Sequence, residues 1–419
     1  MLRFLAYGCL LVWCSPALAL EFKHEARVEL RSFFEQGAQG QSQYTGSLAI
    51  QSEANHQINE QQQAQVKVFA RWDEQDSHRS SVDVQEALWT YAKQQWQLRA
   101  GIGQVFWGVT EGQHLVDVVN QRNYLESIDG DIKLGQPLVN VSFEQEQHLL
   151  DVYLLPYFRE QPFASYDGRL RLPWVVENDA RYESGAKNHR LDAALRYQFN
   201  AQGLRLGLSA FSGTSREPLL QPQVDPTQLS YTGFIPTGFV AGYQPTLIAY
   251  YPVIGQLGLD VQYIMGDWLL KLETIQRHGM GNAYITSDVG FEYTQVGAFG
   301  TMIDVGWLAE YLHDSRNNNA THSFEHDVLL GWRLAFNDTR SSELLTGVVT
   351  DTQSHEQAWK IKGSIRLYDN AKLSLEGRFF NTKQATPSAF EVLSLQASNQ
   401  KLAVLSDDSF IKTELTIYF

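Results

Sequence analysis

Three observations predict an all-β chain that closes into a transmembrane, antiparallel, up-and-down β-barrel of about eighteen strands. Apolar and polar residues alternate with period two in segment after segment. Every second connection is tight and polar, while the others include all the long ones. Tryptophans sit on the apolar faces of the segments, near their ends. Strict alternation marks a strand with one apolar face. Short turns on one rim and long loops on the other, with an even strand count, fit short periplasmic turns and long extracellular loops. A soluble sandwich has no reason to segregate its loops in this way.

The C-terminal segment "SFIKTELTIYF" shows the alternation best. Ile411, Thr413, Leu415, Ile417 and Phe419 share one face, and Phe410, Lys412, Glu414, Thr416 and Tyr418 the other. A terminal aromatic preceded by apolar residues two and four positions earlier resembles the closing strand of bacterial outer-membrane barrels. That resemblance implies Phe419 as the signal to a barrel-assembly machinery. The same reading gives strands near 25–37, 42–57, 61–75, 80–93, 96–107, 138–144, 149–158, 189–199 and 203–213. It continues through 255–265, 268–279, 285–298, 301–314, 323–337, 342–354, 359–369, 372–384 and 406–419. Segments 80–93 and 342–354 alternate poorly, which suggests bulges and leaves sixteen strands open. The long outer loops fall at 159–188, 214–254 and 385–405, besides the stretch 109–136. Trp72, Trp96, Trp268, Trp307, Trp332 and Trp359 share parity with the apolar faces, as the interfacial girdles of such barrels require.

Residues 1–19 read as a secretory signal peptide: Arg3, an apolar run, then Ala17-Leu18-Ala19 for cleavage. Both cysteines, Cys9 and Cys14, lie within it, so a mature chain of 20–419 has neither disulfides nor thiolate metal sites. The precursor carries a net charge of −14, which argues against a nucleic-acid or other polyanion partner by net charge alone. The remainder reads as one barrel domain, with no linker and no low-complexity tract.

With apolar positions assigned to lipid, their alternates line the lumen. Arg27, Arg31, Lys67, Arg71, Lys360, Lys362, Arg366, Lys372, Arg378 and Lys412 then form a basic arc across the seam between the first and last strands. Asp260, Glu273, Glu292, Asp304 and Glu310 lie on the opposite arc. The stretch 109–136 carries Glu111, Asp117, Glu126, Asp129 and Asp131 against only Arg122 and Lys133. Folded inward, this acidic loop would narrow the pore and face the basic arc; lying over the outer mouth, its acids would simply be solvated. General porins constrict their pore with a loop at this place in the strand order, although their Pro-Glu-Phe-Gly-Gly stretch is absent here.

Gln104-Val105-Phe106-Trp107-Gly108, followed by Glu111, Asp117 and Asn120, resembles a segment of porin-like bacterial outer-membrane β-barrels of uncharacterised substrate. That family is similar in size and strand count to the eighteen-stranded alginate-export channels. The resemblance covers a short stretch, with Trp107, Gly108 and Asn120 as its marks, and implies a channel without naming a solute. An acidic polysaccharide is one substrate it brings in, since in alginate exporters a basic lumen conducts one.

Catalytic patterns are weak. His322-Ser-Phe-Glu325-His326 matches a zinc signature as a string, but that chemistry needs a helix to bring the two histidines onto one metal. Here Phe324, His326, Val328, Leu330 and Trp332 alternate toward lipid. No G-x-S-x-G occurs, and eighteen strands leave room for water rather than a filled interior. The Pro-rich loop 214–254 could serve as a lid or a partner contact. The sequence therefore predicts a channel in a Gram-negative outer membrane that passes small hydrophilic or anionic solutes, with lipid around it, no cofactor or metal and no enzymatic activity. A plugged barrel acting as an enzyme or adhesion protein is the alternative, and the oligomeric state is not legible.

Overall fold

The structure is a computed structural model and describes residues 20–387, 390–391 and 400–419. The expected signal peptide, and much of the loop expected at 385–405, lie outside the described residues. In chain order the strands are β1 (Leu20–Phe33), β2 (Tyr44–Asn59), β3 (Gln62–Asp73), β4 (Ser81–Lys93), β5 (Trp96–Gly103), β6 (Gln136–Gln145), β7 (His148–Leu155) and β8 (Val175–Tyr182). There follow β9 (Asp192–Ala201), β10 (Leu204–Thr214), β11 (Leu219–Gln223), β12 (Leu229–Thr232), β13 (Ile235–Phe239), β14 (Thr246–Tyr251), β15 (Val253–Met265) and β16 (Trp268–His278). The chain finishes with β17 (Tyr284–Gln295), β18 (Asp304–Asp314), β19 (His326–Ala335), β20 (Glu343–Asp351), β21 (Gln357–Tyr368), β22 (Ala371–Asn381) and β23 (Phe410–Tyr418).

Eighteen of these form one sheet in which each strand pairs antiparallel with its neighbours. β1 pairs with β2 on one side and β23 on the other, with Arg27 opposite Thr416 and Arg31 opposite Lys412, so the sheet closes. The seam is completed by Phe419, whose N–H donates to His24 O at 3.0 Å while His24 N donates to Phe419 O at 3.1 Å. A closed sheet leaves no unpaired edge, the condition for strands to stand in hydrocarbon.

Burial is inside-out relative to a soluble domain. Leu30 (62% exposed) and Leu257 (60%) point away from the barrel, whereas Asp260 and Glu273 are fully enclosed. Trp96 packs on Phe143 (4.7 Å between centroids) and Trp268 on Tyr293 (4.8 Å) at the short-turn rim. Trp72 and Trp359 sit outward at the other rim. These rings occupy the two interfacial levels of a membrane barrel. The expected irregularity in 80–93 is a bulge: the β3–β4 register slips between Lys67 and Val68, leaving Gln85 as the extra residue.

The structure departs from the expected pattern in four places. β5 ends at Gly103, not at 107, so Trp107 is buried inside the barrel rather than on a strand. The loops 159–188 and 214–254 are not irregular throughout: β8, β11 and β14 form a three-stranded sheet and β12–β13 a hairpin. Phe158, Trp174, Val176, Leu247 and Tyr251 give that small sheet a core of its own, which lets long segments stay ordered beyond the membrane. Phe324 does not face lipid; it precedes β19 and packs on Leu308, Leu312 and Leu329. Those three leucines are buried on the lumen side, opposite the rule that apolar residues point outward. Asp304 is the first residue of β18, at the short-turn rim, and its Oδ1 accepts from Gly297 N in the preceding turn.

Candidate functional site

The chain leaves β5 at Gly103 and returns at Gln136, and the intervening loop lies within the barrel. Asn120 ties its two ends together. Its Oδ1 accepts from Val105 N (2.8 Å), and its Nδ2 donates to Gly103 O and Leu134 O (2.9 Å each). Only a side-chain amide offers an acceptor and two donors on so short a stem. Trp107 packs edge-on against Tyr153 and lies under the Arg196 guanidinium. With Val105, Val116, Val118 and Val119 it forms an apolar core inside the barrel against Leu138, Leu155, Phe211, Ile254 and Ile275.

On the far wall, three buried carboxylates hold the loop by its backbone. Glu273 Oε1 accepts from Val109 N (2.6 Å) and Thr110 N (3.0 Å), and Oε2 from Val116 N (3.2 Å). Glu310 accepts from Glu111 N (2.9 Å) and Gly112 N (2.6 Å), and Asp288 from Gln113 N (3.2 Å). Such charge-assisted bonds compensate carboxylates taken out of water. Gly108 makes the approach feasible. Its φ is +127°, and a Cβ there would stand 2.8 Å from Glu273 Oε1.

The loop acids reach different parts of the wall. Asp129 takes a bidentate contact from Arg378 (2.7 and 2.5 Å) and one from Lys360 Nζ (2.8 Å). Burial pushes its carboxyl up, but these two cations outweigh that and hold it below the usual carboxylate range. Glu126 meets Arg71 at 2.9 Å. Glu111 pairs instead with Arg333 (3.0 Å) on β19, and Asp117 turns back onto the loop's own Lys133, so neither faces the basic arc. Asp131 is exposed within the lumen.

The basic arc divides into two halves. Toward the outer side Arg31 pairs with Glu29 (2.8 Å), Lys412 with Glu376 (2.7 Å), and Arg71, Lys360 and Arg378 as above. Toward the short-turn rim Arg27 pairs with Glu25 and Lys372 with Glu343 (3.4 Å). Lys67, Lys362 and Arg366 have no ion-pair partner among the described residues. A cavity of about 680 Å³ remains between the loop and β16–β22. Arg122, Arg277, Arg316, Lys360 and Arg378 line it, together with Leu308, Leu329, Leu345, Val349 and Phe380. Arg122 donates to His114 O (2.8 Å) and has no carboxylate partner among the described residues.

Sequence reasoning missed Arg79, which bonds Glu29 (2.9 Å) and Asp73 (2.6 Å) from the loop after β3. It also missed Arg216, which donates to Val119 O (3.0 and 2.8 Å) and to Asp192 (2.9 Å), joining the outer loops to the inner one. Both lie outside strands, where alternation carries no signal. The lumenal leucine patch did leave one: β18 and β19 are apolar at both parities, as in "DVLLGW".

No protein-family model matches the chain, and neither does any curated protein. Among solved structures, a BenF-like porin from Pseudomonas fluorescens Pf-5 superposes with a TM-score of 0.53 at 8% identity, over 96% of this chain and 98% of that one. A triple mutant of the Rhodopseudomonas blastica porin aligns at a TM-score of 0.43 and 12% identity, over 96% of this chain and 100% of that one. The first likeness is one of fold; the second is too distant to carry an argument. Fold and lumen together define a porin-like transmembrane β-barrel: a closed eighteen-stranded sheet with a polar interior and a long loop folded into it.

Proposed function

We propose that the protein is an outer-membrane channel of a Gram-negative bacterium for small anionic solutes. The observation that carries this reading is the lumenal cavity, whose lining mixes guanidinium and ammonium groups with apolar side chains. Such a mixed lining suits a solute with a carboxylate or similar group and a short apolar body. The unpaired Lys362 and Arg366 toward the short-turn rim extend the positive lining along the lumen. Passage is passive, because nothing in a barrel of this kind supplies an energy source. A continuous path for an acidic polysaccharide has less support, since most cations of the outer half are each matched to an acid.

The test is single-channel conductance of the refolded barrel in a planar bilayer, with a salt gradient to read selectivity. Steady conductance with an anion preference supports the channel. A plugged barrel is the second reading, favoured by the inner loop's bonds to so many strands. Absence of conductance, in protein shown to be folded by heat-modifiable gel migration, would put that reading first.

A further inference from the structure

A second cluster of charge lies at the outer rim, apart from the cavity cations. Asp327 and Asp351 stand directly opposite each other on β19 and β20. Like charges in that register repel. Glu325, just before β19, completes a trio in which one carboxylate oxygen from each residue lies within 4.8 Å of the others. Glu356 lies across the hairpin, where its backbone carbonyl oxygen accepts from Asp351 N at 3.0 Å. All four are enclosed, Glu325 and Glu356 at 2% and 3% exposure.

Charge compensation is incomplete. Lys401 is the one cation in ion-pair contact with the group among the described residues, 3.1 Å from Glu325 Oε1. Its ammonium also donates to Ala320 O (2.9 Å) and His322 O (3.0 Å), so its three protons are committed. Asp351 Oδ1 accepts from Gln353 N and Ser354 N, and Glu356 Oε2 from Leu402 N (3.1 Å). Glu325 Oε2 and Glu356 Oε1 are buried with no hydrogen-bond partner among the described residues. Burial raises the Glu356 carboxyl above its ordinary range, and the Asp351 and Glu325 carboxylates add to that. Unpaired buried carboxylate oxygens are costly unless a proton or a cation meets them.

We propose that Glu325, Asp327 and Asp351 form a binding site for a hard divalent cation, calcium in the first instance. Calcium takes six to eight oxygens at about 2.3–2.6 Å in flexible geometry, so ligand oxygens up to about 5 Å apart share one ion. Two aspartates facing each other across a strand pair, with Glu325 beside them, present carboxylate oxygens within 4.8 Å of one another. Lys401 and Leu402, which touch Glu325 and Glu356, belong to the segment between β22 and β23. The ion would therefore pin the turn Lys401–Leu405 to the rim, and the site stands whether or not the channel reading holds.

Calcium alone is the probe. The folded barrel in detergent is titrated by calorimetry, and its thermal unfolding is followed with and without Ca²⁺. A dissociation constant on the order of 10⁻⁴–10⁻³ M, typical of extracellular sites, with a raised unfolding temperature that EDTA reverses, is expected. D327N/D351N should weaken binding at least tenfold and abolish the calcium-dependent shift while still migrating as a folded barrel. No calcium binding by the wild-type barrel would overturn the site and leave the carboxylates protonated instead. Binding that survives undiminished in D327N/D351N would overturn it too, by locating the ion elsewhere. Should that variant fail to fold, E325Q, just before β19 and outside the strands, takes its place with the same two outcomes.

Discussion

Single residues in this barrel do work that is visible from their atoms. Asn120 satisfies one N–H and two carbonyl groups where the inner loop leaves and rejoins the wall. Asn120→Ala leaves all three buried without partners, at about 1–3 kcal/mol for each group that water does not reach. A lower unfolding temperature and noisier single-channel current are expected, since the loop loses its clamp. Gly108→Ala acts at the opposite anchor. With φ at +127° and Glu273 Oε1 2.8 Å from the added carbon, the loop must back away and lose the Val109 and Thr110 bonds. Increased open-state conductance in a planar bilayer checks this, and an unchanged current would show that the loop does not limit flow. Asp129 bears on pH. Its carboxyl is held below the ordinary value near ~4, so its contribution is complete above that value and fades only as pH falls through the depressed one. Conductance measured between about pH 5 and pH 8 should therefore show no release of the loop through Asp129.

At the scale of elements, the two faces of one strand answer different questions. On β21, Lys362 and Arg366 point inward without ion-pair partners, while Ile361 and Leu367 face outward. K362E/R366E is expected to move ion selectivity toward cations with little effect on folding, read from reversal potentials under a salt gradient. Unchanged selectivity would remove this part of the arc from the mechanism. On β22, Leu375 is exposed to lipid, and Leu375→Arg should cost about 2–4 kcal/mol if it lies near the midplane. The readout is loss of the heat-resistant folded band, with selectivity intact in whatever folds. Arg378→Glu differs from both, because it breaks the bidentate contact with Asp129 and repels it. It should loosen the loop and shift selectivity together. Much at this scale was legible in the alternation itself, including the bulge in 80–93. What alternation misjudged were stretches where both faces are apolar or neither is. β18 and β19 place leucines inward because the cavity needs an apolar wall there, and Trp107 continues the parity of β5 after the strand has ended.

At the scale of the whole molecule, one charge pattern serves both folding and lining. Buried polar groups occupy the interior and apolar groups the lipid face, so the barrel depends on internal ion pairs and hydrogen bonds where a soluble domain would use packing. The inner loop brings a substantial apolar core into that interior. The amino-acid sequence by itself determined the closed barrel, its strand number to within two and its inward and outward faces. These follow from local period and loop length, which neighbouring residues encode. The tertiary structure alone decided that Glu273, Asp288 and Glu310 grip the loop backbone, and that Glu111 and Asp117 turn from the basic arc. It also decided that three carboxylates meet at the outer rim. Those contacts join residues up to about two hundred positions apart, through backbone groups that every residue carries. No local pattern can register them, because the chemistry appears only once the sheet has closed and the loop has found its wall.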